Sequence, residues 1–277
     1  TDVTLDVDLG AQAVGGTIVR STKLTHDITR LEIQLDAPVD YRAGQYALVS
    51  LEALAGVTRS YSFASAPRDD GRIEFFIRHV PDGKFSSVVQ FGERHGGLAG
   101  QRVTLRGVSG DFWLRQGDAP LVLVAGGSGL APILALLEDA ADRGVKRPVT
   151  LLFGARGKRD LYALDRINAL VDRWQGGFTY VPVLSEASEE DAWEGEIGLV
   201  TGLIGRYAET GAHGYLCGPP GMVDAGVAAL EHEGVDASDI HFDRFTTAAD
   251  GVGAPSTSTP VEVEIKDGAP PLGERRA

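Results

Sequence analysis

Hydrophobic positions change rhythm once along the chain. Up to about Leu114 they come in short alternating runs separated by turn residues: "GGTIVRSTKL", "TRLEIQL", "GQYALVSL", "SYSFAS", "RIEFFIRHV" and "QRVTLRGV". Period two at this spacing predicts the strands of a small antiparallel barrel. One helical stretch interrupts them, "GKFSSVVQF", where Ser86 offers a cap ahead of Val88 and Val89. From Leu121 wholly apolar runs alternate with amphipathic ones. "LVLVAG", "PVTLLFGA", "FTYVPVL", "HGYLCG" and "DIHFDRF" read as strands. "LAPILALLEDAADRG", "DLYALDRINALVDRW", "GLVTGLIGRYAET" and "GMVDAGVAALEHEG" read as helices, the second with Leu161, Leu164, Ile167 and Leu170 on one stripe. Strand–helix alternation predicts a doubly wound parallel sheet. The expected organisation is a linker over 1–13, a barrel domain over 14–116, an α/β domain over 117–247 and a flexible tail or linker over 248–277. The tail is small, polar and rich in Pro and Gly, although "VEVEIKDG" within it alternates like the start of a strand.

Composition narrows the function classes. A chain of 277 residues fits two domains, and 43% hydrophobic residues suffice for two cores. A net charge of -13 argues against nucleic acid as the main partner, because phosphate backbones need clustered Lys and Arg. It fits a cytoplasmic protein. The apolar stretch 119–137 is long enough for a membrane span, but Gly-Gly-Ser-Gly and Pro132 inside it predict strand, tight turn and helix instead. No membrane segment is expected. The acidic, alternating start is unlike a signal peptide. It lacks Met, which predicts a processed chain or one cut from something longer. One cysteine excludes an intrachain disulfide, and with six scattered histidines no protein-bound metal is expected.

Three short segments carry candidate chemistry. "AGGSGLAP" (125–132) lies where a buried strand turns into a helix. Glycines there let backbone approach a phosphate at a helix N-terminus, though a tight turn without a ligand has the same appearance. "RSYSFAS" (59–65) sets Arg59, Tyr61 and Phe63 on one face of a strand and Ser60 and Ser62 on the other; an aromatic packed on a core is the ordinary alternative. "HVPDGKFSS" (79–87) is a turn feeding a helix start, either an anion site or a plain capped helix. Cys217, in "YLCGPPGM", could be core filler, a nucleophile, a metal ligand or a pocket wall. It has no local His or acid to activate it, so a nucleophilic hydrolase fits poorly.

These segments, in this order, resemble the ferredoxin–NADP reductase superfamily, and most closely the NADH-dependent reductase components of bacterial multicomponent mono- and dioxygenases. The pieces are "RSYS" at 59–62, "GKFS" at 83–86, "GGSGLAP" at 126–132, "FGAR" at 153–156, "CGPPGM" at 217–222 and "HFDRF" at 241–245. The resemblance implies a six-stranded antiparallel FAD-binding barrel followed by an NAD-binding domain. It assigns Arg59 to the FAD pyrophosphate, Tyr61 to the isoalloxazine and Ser62 to its N5 edge. The turn Gly83, Lys84, Phe85 and Ser86 would cradle the same phosphates, and Ser60, Ile77, Arg78 and Val80 join the cofactor-binding set. Phe245 would cover the other flavin face, and Asp243 would lie near the hydride path. Gly127, Ser128, Gly129 and Pro132, helped by Arg156, would bind the nicotinamide cofactor's pyrophosphate. Cys217, Gly218, Pro219 and Met222 would border the nicotinamide. Ser62, Cys217, Asp243 and Phe245 form the expected catalytic set.

The resemblance also frames the choice of donor and acceptor. NADP-specific relatives carry Ser-Arg and a later Tyr for the 2′-phosphate. Here Ser185 is kept, Glu186 replaces the Arg and Leu199 stands for the Tyr. A carboxylate accepts from a ribose 2′-OH and repels a 2′-phosphate, so NADH is expected over NADPH. Glu189, Glu190 and Asp191 read as a solvated loop. A plant-type [2Fe-2S] centre needs four cysteines, so such a cluster belongs to a missing domain or a partner. The expected partners are an iron–sulfur domain or ferredoxin and an oxygenase component, with the chain monomeric by itself. The competing readings are a stand-alone flavin or ferric reductase, and a flavin-holding subunit without turnover of its own.

Overall fold

Alternation builds the first sheet as the pattern requires. The computed structural model describes residues 13–92, 97–189 and 192–246. β1 (Val14–Lys23), β2 (Ile28–Leu35), β3 (Tyr46–Leu51), β4 (Thr58–Ser62), β5 (Arg72–Arg78) and β6 (Arg102–Ser109) pair antiparallel in the order β4-β3-β6-β1-β2-β5. A single bridge between Phe63 and Phe75 ties the two edges and curls the sheet into a barrel. Ile18, Leu31, Ile33, Val49, Phe75, Ile77 and Leu105 fill its interior. The helix α1 (Lys84–Gln90) drives Phe85 and Val89 into that core. Gly83, not Ser86, occupies its cap position. Ser86 lies inside the helix, where its hydroxyl accepts from the Val80 N–H at 3.1 Å.

The second sheet is parallel throughout, in the order β10-β9-β8-β7-β11-β12. Its strands are β7 (Leu121–Gly126), β8 (Val149–Ala155), β9 (Phe178–Leu184), β10 (Glu196–Ile197), β11 (His213–Gly218) and β12 (Ile240–Arg244). Every residue of β7 is buried. Leu121, Leu123 and Ala125 pack against α2 (Leu130–Asp142) and α3 (Leu164–Arg173), while Val122 and Val124 pack towards α4 (Ile204–Tyr207) and α5 (Pro220–His232). A strand covered on both faces cannot alternate, hence its wholly apolar run.

Three elements differ from expectation. α3 starts only at Leu164, after Ala163 in a left-handed conformation (φ 57°). Leu161 therefore precedes it and Leu164 is 41% exposed, leaving Ile167 and Leu170 as the buried stripe. The helix expected from Gly198 is a 3-10 turn, Val200–Leu203, running into the four-residue α4; Gly202 and Gly205 weaken helix there. β10 is two residues long, too short for periodicity to reveal.

The two sheets also share a core. Ile28, Ala43, Ala64, Phe76 and Phe112 of the barrel join the cluster around α2 and α3. Phe76 breaks the alternation of β5 because its outward face is covered. The described residues up to Phe245 accordingly form one compact unit. Among the described residues no helix is long and apolar enough to cross a membrane. Residues 1–12 of the expected linker, Glu190, Asp191 and the tail from 247, "VEVEIKDG" included, lie outside the described residues.

Candidate active site

The parallel sheet reverses its winding between β7 and β11. From β7 the chain proceeds outward through β8 and β9, and β11 returns to the other side of β7. Such a switch point opens a crevice at the carboxyl ends of the strands. Two glycine turns leave the sheet there and pack on each other. A Cβ on Gly129 would meet the Cys217 carbonyl oxygen at 2.1 Å, and one on Gly126 would meet Met222 Sδ at 2.4 Å. Tyr162, buried behind the first turn, donates its hydroxyl to the Gly127 carbonyl at 2.9 Å.

A cleft of about 270 Å³ opens over these turns. The residues assigned from sequence that line it are Arg78, Gly127, Arg156, Ser185, Pro219 and Met222. Glu186 is exposed outside it and donates its backbone N–H to the Arg156 carbonyl at 2.8 Å. Leu199 stands on the rim, 73% exposed. Ser128 is half-buried at the turn, and Pro132 is buried in the first turn of α2.

Thr25, Asp27 and Asp160 also line the cleft and escaped the sequence reading. In sequence, Thr25 to Asp27 is only a hairpin turn between two alternating runs. Arg78 Nε lies 3.0 Å from Asp27 Oδ2 and Arg156 Nη2 lies 3.8 Å from the same atom. Burial pushes the Asp27 carboxyl up, but the Thr25 hydrogen bond and the Arg78 charge outweigh it and hold it below its ordinary value. His26 Nδ1 sits 3.1 Å from Asp160 Oδ1. His26, Asp27 and Asp160 together offer atoms within 4.8 Å of one another, a grouping that histidine spacing could not reveal. Both arginines compete for its central carboxylate.

The barrel supplies the other side. Arg59 and Ser60 are exposed on β4, with Arg59 Nη1 donating to the Thr58 carbonyl. Tyr61 is half-buried, its ring 5.1 Å from that of Phe85 and 6.3 Å from that of Phe75, and burial pushes its hydroxyl up. Part of that ring is therefore barrel packing. Ile77 and Phe85 are 1% exposed with their side chains inside the barrel, which leaves their backbone to face a ligand. Val80, Gly83 and Lys84 form the accessible turn.

Ser62 and Asp243 meet where the two sheets meet. Ser62 is buried at the end of β4, and its Oγ lies 3.5 Å from Asp243 Oδ2. Burial, reinforced by the Asp111 charge, raises the Asp243 carboxyl to about 6 against the pull of the Ser62 hydrogen bond. Cys217 pairs with Asp243 across β11 and β12. Its thiol is fully enclosed and pushed well up, by burial first and the Asp243 charge second. The side chain is thus core beneath the turn rather than cleft lining, and an unactivated thiol is no nucleophile. Gly218 follows with φ 153°. Its carbonyl accepts the Phe245 N–H at 2.9 Å, which holds that half-buried ring at the turn.

Known proteins carry the same two parts in the same order. The family described as oxidoreductase FAD-binding domain matches residues 16–113, and the oxidoreductase NAD-binding domain matches 123–227. The xylene/toluene monooxygenase electron transfer component XylA of Pseudomonas putida is 42% identical over 250 residues, covering 88% of this chain and 70% of the relative. The phenol 2-monooxygenase reductase component DmpP of Pseudomonas sp. (strain CF600) is 35% identical, covering 88% and 68%. Among solved structures, the Amycolatopsis cytochrome P450 reductase GcoB superposes with a TM-score of 0.77 at 33% identity, covering 88% of this chain and 74% of that one. The ferredoxin reductase in carbazole 1,9a-dioxygenase gives 0.75 at 30% identity, covering 87% and 71%. Two glycine turns at a switch point, a barrel strand reaching them and this degree of likeness agree: the chain belongs to the family of FAD- and NAD-binding oxidoreductases that includes the reductase components of multicomponent oxygenases.

Proposed function

We propose that this chain takes electrons from NADH, passes them through FAD, and delivers them to an iron–sulfur centre, on a separate domain or a ferredoxin, that serves an oxygenase. The meeting of Ser62 with Asp243 carries the reading. These residues stand 181 positions apart in sequence and touch at 3.5 Å, so the strand bearing Arg59, Tyr61 and Ser62 ends beside the glycine turns of the parallel sheet. Cofactors held on the two sides would face each other. The cradle fits a dinucleotide. Gly126, Gly129 and Gly218 leave no room for a Cβ, and Arg78 and Arg156 bring positive charge beside a helix start. The relatives' names, electron transfer component and reductase component, support the direction of flow.

The cofactors supply the redox chemistry, a hydride leaving nicotinamide for a flavin that gives up electrons singly. The chain's residues bind, align and exclude water. Arg59 and Lys84 would hold the flavin pyrophosphate, on a turn that Ser86 pins through Val80. Arg78 and Arg156 would hold that of the dinucleotide. Pro219 and Met222 wall the cleft, and Phe245 would shield the junction from water. Asp243 holds a proton on its carboxyl below about pH 6, within reach of Ser62 Oγ.

NADH is preferred on the sign of Glu186, an exposed carboxylate next to cleft-lining Ser185, with Leu199 offering an apolar rim and no hydroxyl. Anaerobic titration of the purified protein tests the whole. The expected result is bound yellow flavin that bleaches with NADH, and a kcat/KM for NADPH at least tenfold lower. Flavin that NADH leaves oxidised overturns the reading, and equal kcat/KM values overturn the donor assignment.

A further inference from the structure

We propose that Arg166 is a positioning residue that holds the flavin-bearing strand of the barrel in register with the dinucleotide turn of the parallel sheet. The inference rests on the two-cofactor reading above. Arg166 lies on α3 and touches neither turn. Its Nη1 donates to Glu74 Oε2 on β5 at 2.9 Å, and its Nη2 to the Ala64 carbonyl at 2.7 Å. Nε and Nη2 together grip the Glu138 carboxylate on α2, both at 2.8 Å. The guanidinium carbon stands 5.6 Å from the centre of the Phe76 ring. One planar fork thus joins β5 and the segment after β4, both of the barrel, to α2, which packs on the parallel sheet.

Each element it holds leads to the proposed chemistry. Ala64 lies two residues beyond Ser62, and its N–H is already bound to the Glu74 carbonyl at 2.8 Å. Glu138 sits on the helix that begins at the Gly127–Gly129 turn, about 12 Å along it from Leu130 at 1.5 Å rise per residue. The apolar contacts between the sheets, such as Phe76 on Tyr162, resist separation but set no direction. A bidentate arginine grip is directional, and a partly buried ion network is a weak source of stability compared with apolar packing. Orientation is therefore what Arg166 adds. The three side chains are 14–21% exposed. Burial opposes the charge on Arg166, but hydrogen bonds and charges from Glu138 and Glu74 outweigh it and raise its pKa.

The test compares Arg166→Met, Arg166→Lys and Glu74→Gln holoproteins with the parent. Stopped-flow mixing with NADH, without oxygen, reads the rate constant of flavin reduction at saturation and the Kd separately. Misalignment near the reacting atoms costs up to about 100-fold per ångström. Arg166→Met is expected to lower the rate constant roughly 10- to 100-fold. Its Kd values for FAD and NADH should change less than threefold. The long-wavelength absorbance of nicotinamide stacked on oxidised flavin should weaken. Arg166→Lys should fall between, because an ammonium cannot span all three acceptors. In the flavin-free protein, the Ala64 amide should exchange hydrogen faster in Arg166→Met. A merely structural role would lower the melting temperature and leave the rate constant and the absorbance band of the folded fraction unchanged, which overturns the proposal. Should Arg166→Met not fold, parental rate constants in both Arg166→Lys and Glu74→Gln overturn it equally. Parent protein that NADH does not reduce refutes the two-cofactor reading instead.

Discussion

Replacing Gly129 by alanine should pry apart the two turns on which the proposed site depends. The backbone of Gly129 is ordinary helix start, φ -62°, so an L side chain meets no conformational barrier. The obstacle is contact. The new Cβ would lie 2.1 Å from the Cys217 oxygen, 2.4 Å from its carbon and 2.7 Å from the Gly218 nitrogen. All three are backbone atoms of β11 and cannot rotate away. Ordinary contact begins at 3.4 Å, so the turns must part by about 1.3 Å. Overpacking of this kind costs about 1–3 kcal/mol. At roughly 2–4 °C per kcal/mol for a unit of this size, the melting temperature should drop by about 2–12 °C. Dinucleotide binding should weaken at least tenfold, because the walls of the cleft separate. Two neighbours serve as controls. Gly221, the second residue of α5, has nothing within 4 Å of where an added Cβ would lie, and Gly221→Ala should be neutral or slightly stabilising. Gly127→Ala meets only the movable end of Arg78, at 3.1 Å, and should cost about 1–2 kcal/mol for its φ of 55°. Thermal unfolding by circular dichroism and NADH titration measure both effects. If Gly129→Ala melts with Gly221→Ala and binds NADH as the parent does, the packing argument is wrong.

Two further outcomes follow from the buried groups at the junction. Asp243 titrates near 6 in the folded chain against an ordinary 3.8, so the native state holds the proton more tightly. Its contribution to stability is whole below about pH 3.8 and is lost as pH rises through 6. Asp243→Asn should therefore melt higher than the parent at pH 8 and level with it at pH 4; a pH-independent difference rules this out. Cys217 is fully enclosed with its thiol pushed up, so the native protein should resist a thiol reagent at pH 8 and release one reactive thiol per chain in urea. Rapid stoichiometric labelling of the folded protein would contradict its burial.

Much of the fold was legible because its signals are local. Period two marks β2, where every second residue enters the barrel, and a wholly apolar run marks β7, covered on both faces. Glycines follow directly on β7 and β11, so both turns at the switch point were legible too. Where sequence misled, tertiary contact had overruled a local rule. Ser86 has the chemistry of a cap yet spends its hydroxyl on Val80. Leu164 fits a helical stripe yet faces solvent, because α3 begins one turn later than its pattern.

Sequence alone therefore determined the order and type of the longer elements, the family, and the glycine turns, since each rests on neighbours within one or two turns of chain. Only the tertiary structure decided which charges meet. Asp27 with Arg78 and Arg156, Ser62 with Asp243, and Arg166 with Glu74 and Glu138 are brought together across spans of 28 to 181 residues. Charge interactions depend on distance and burial in space, and a periodicity carries neither.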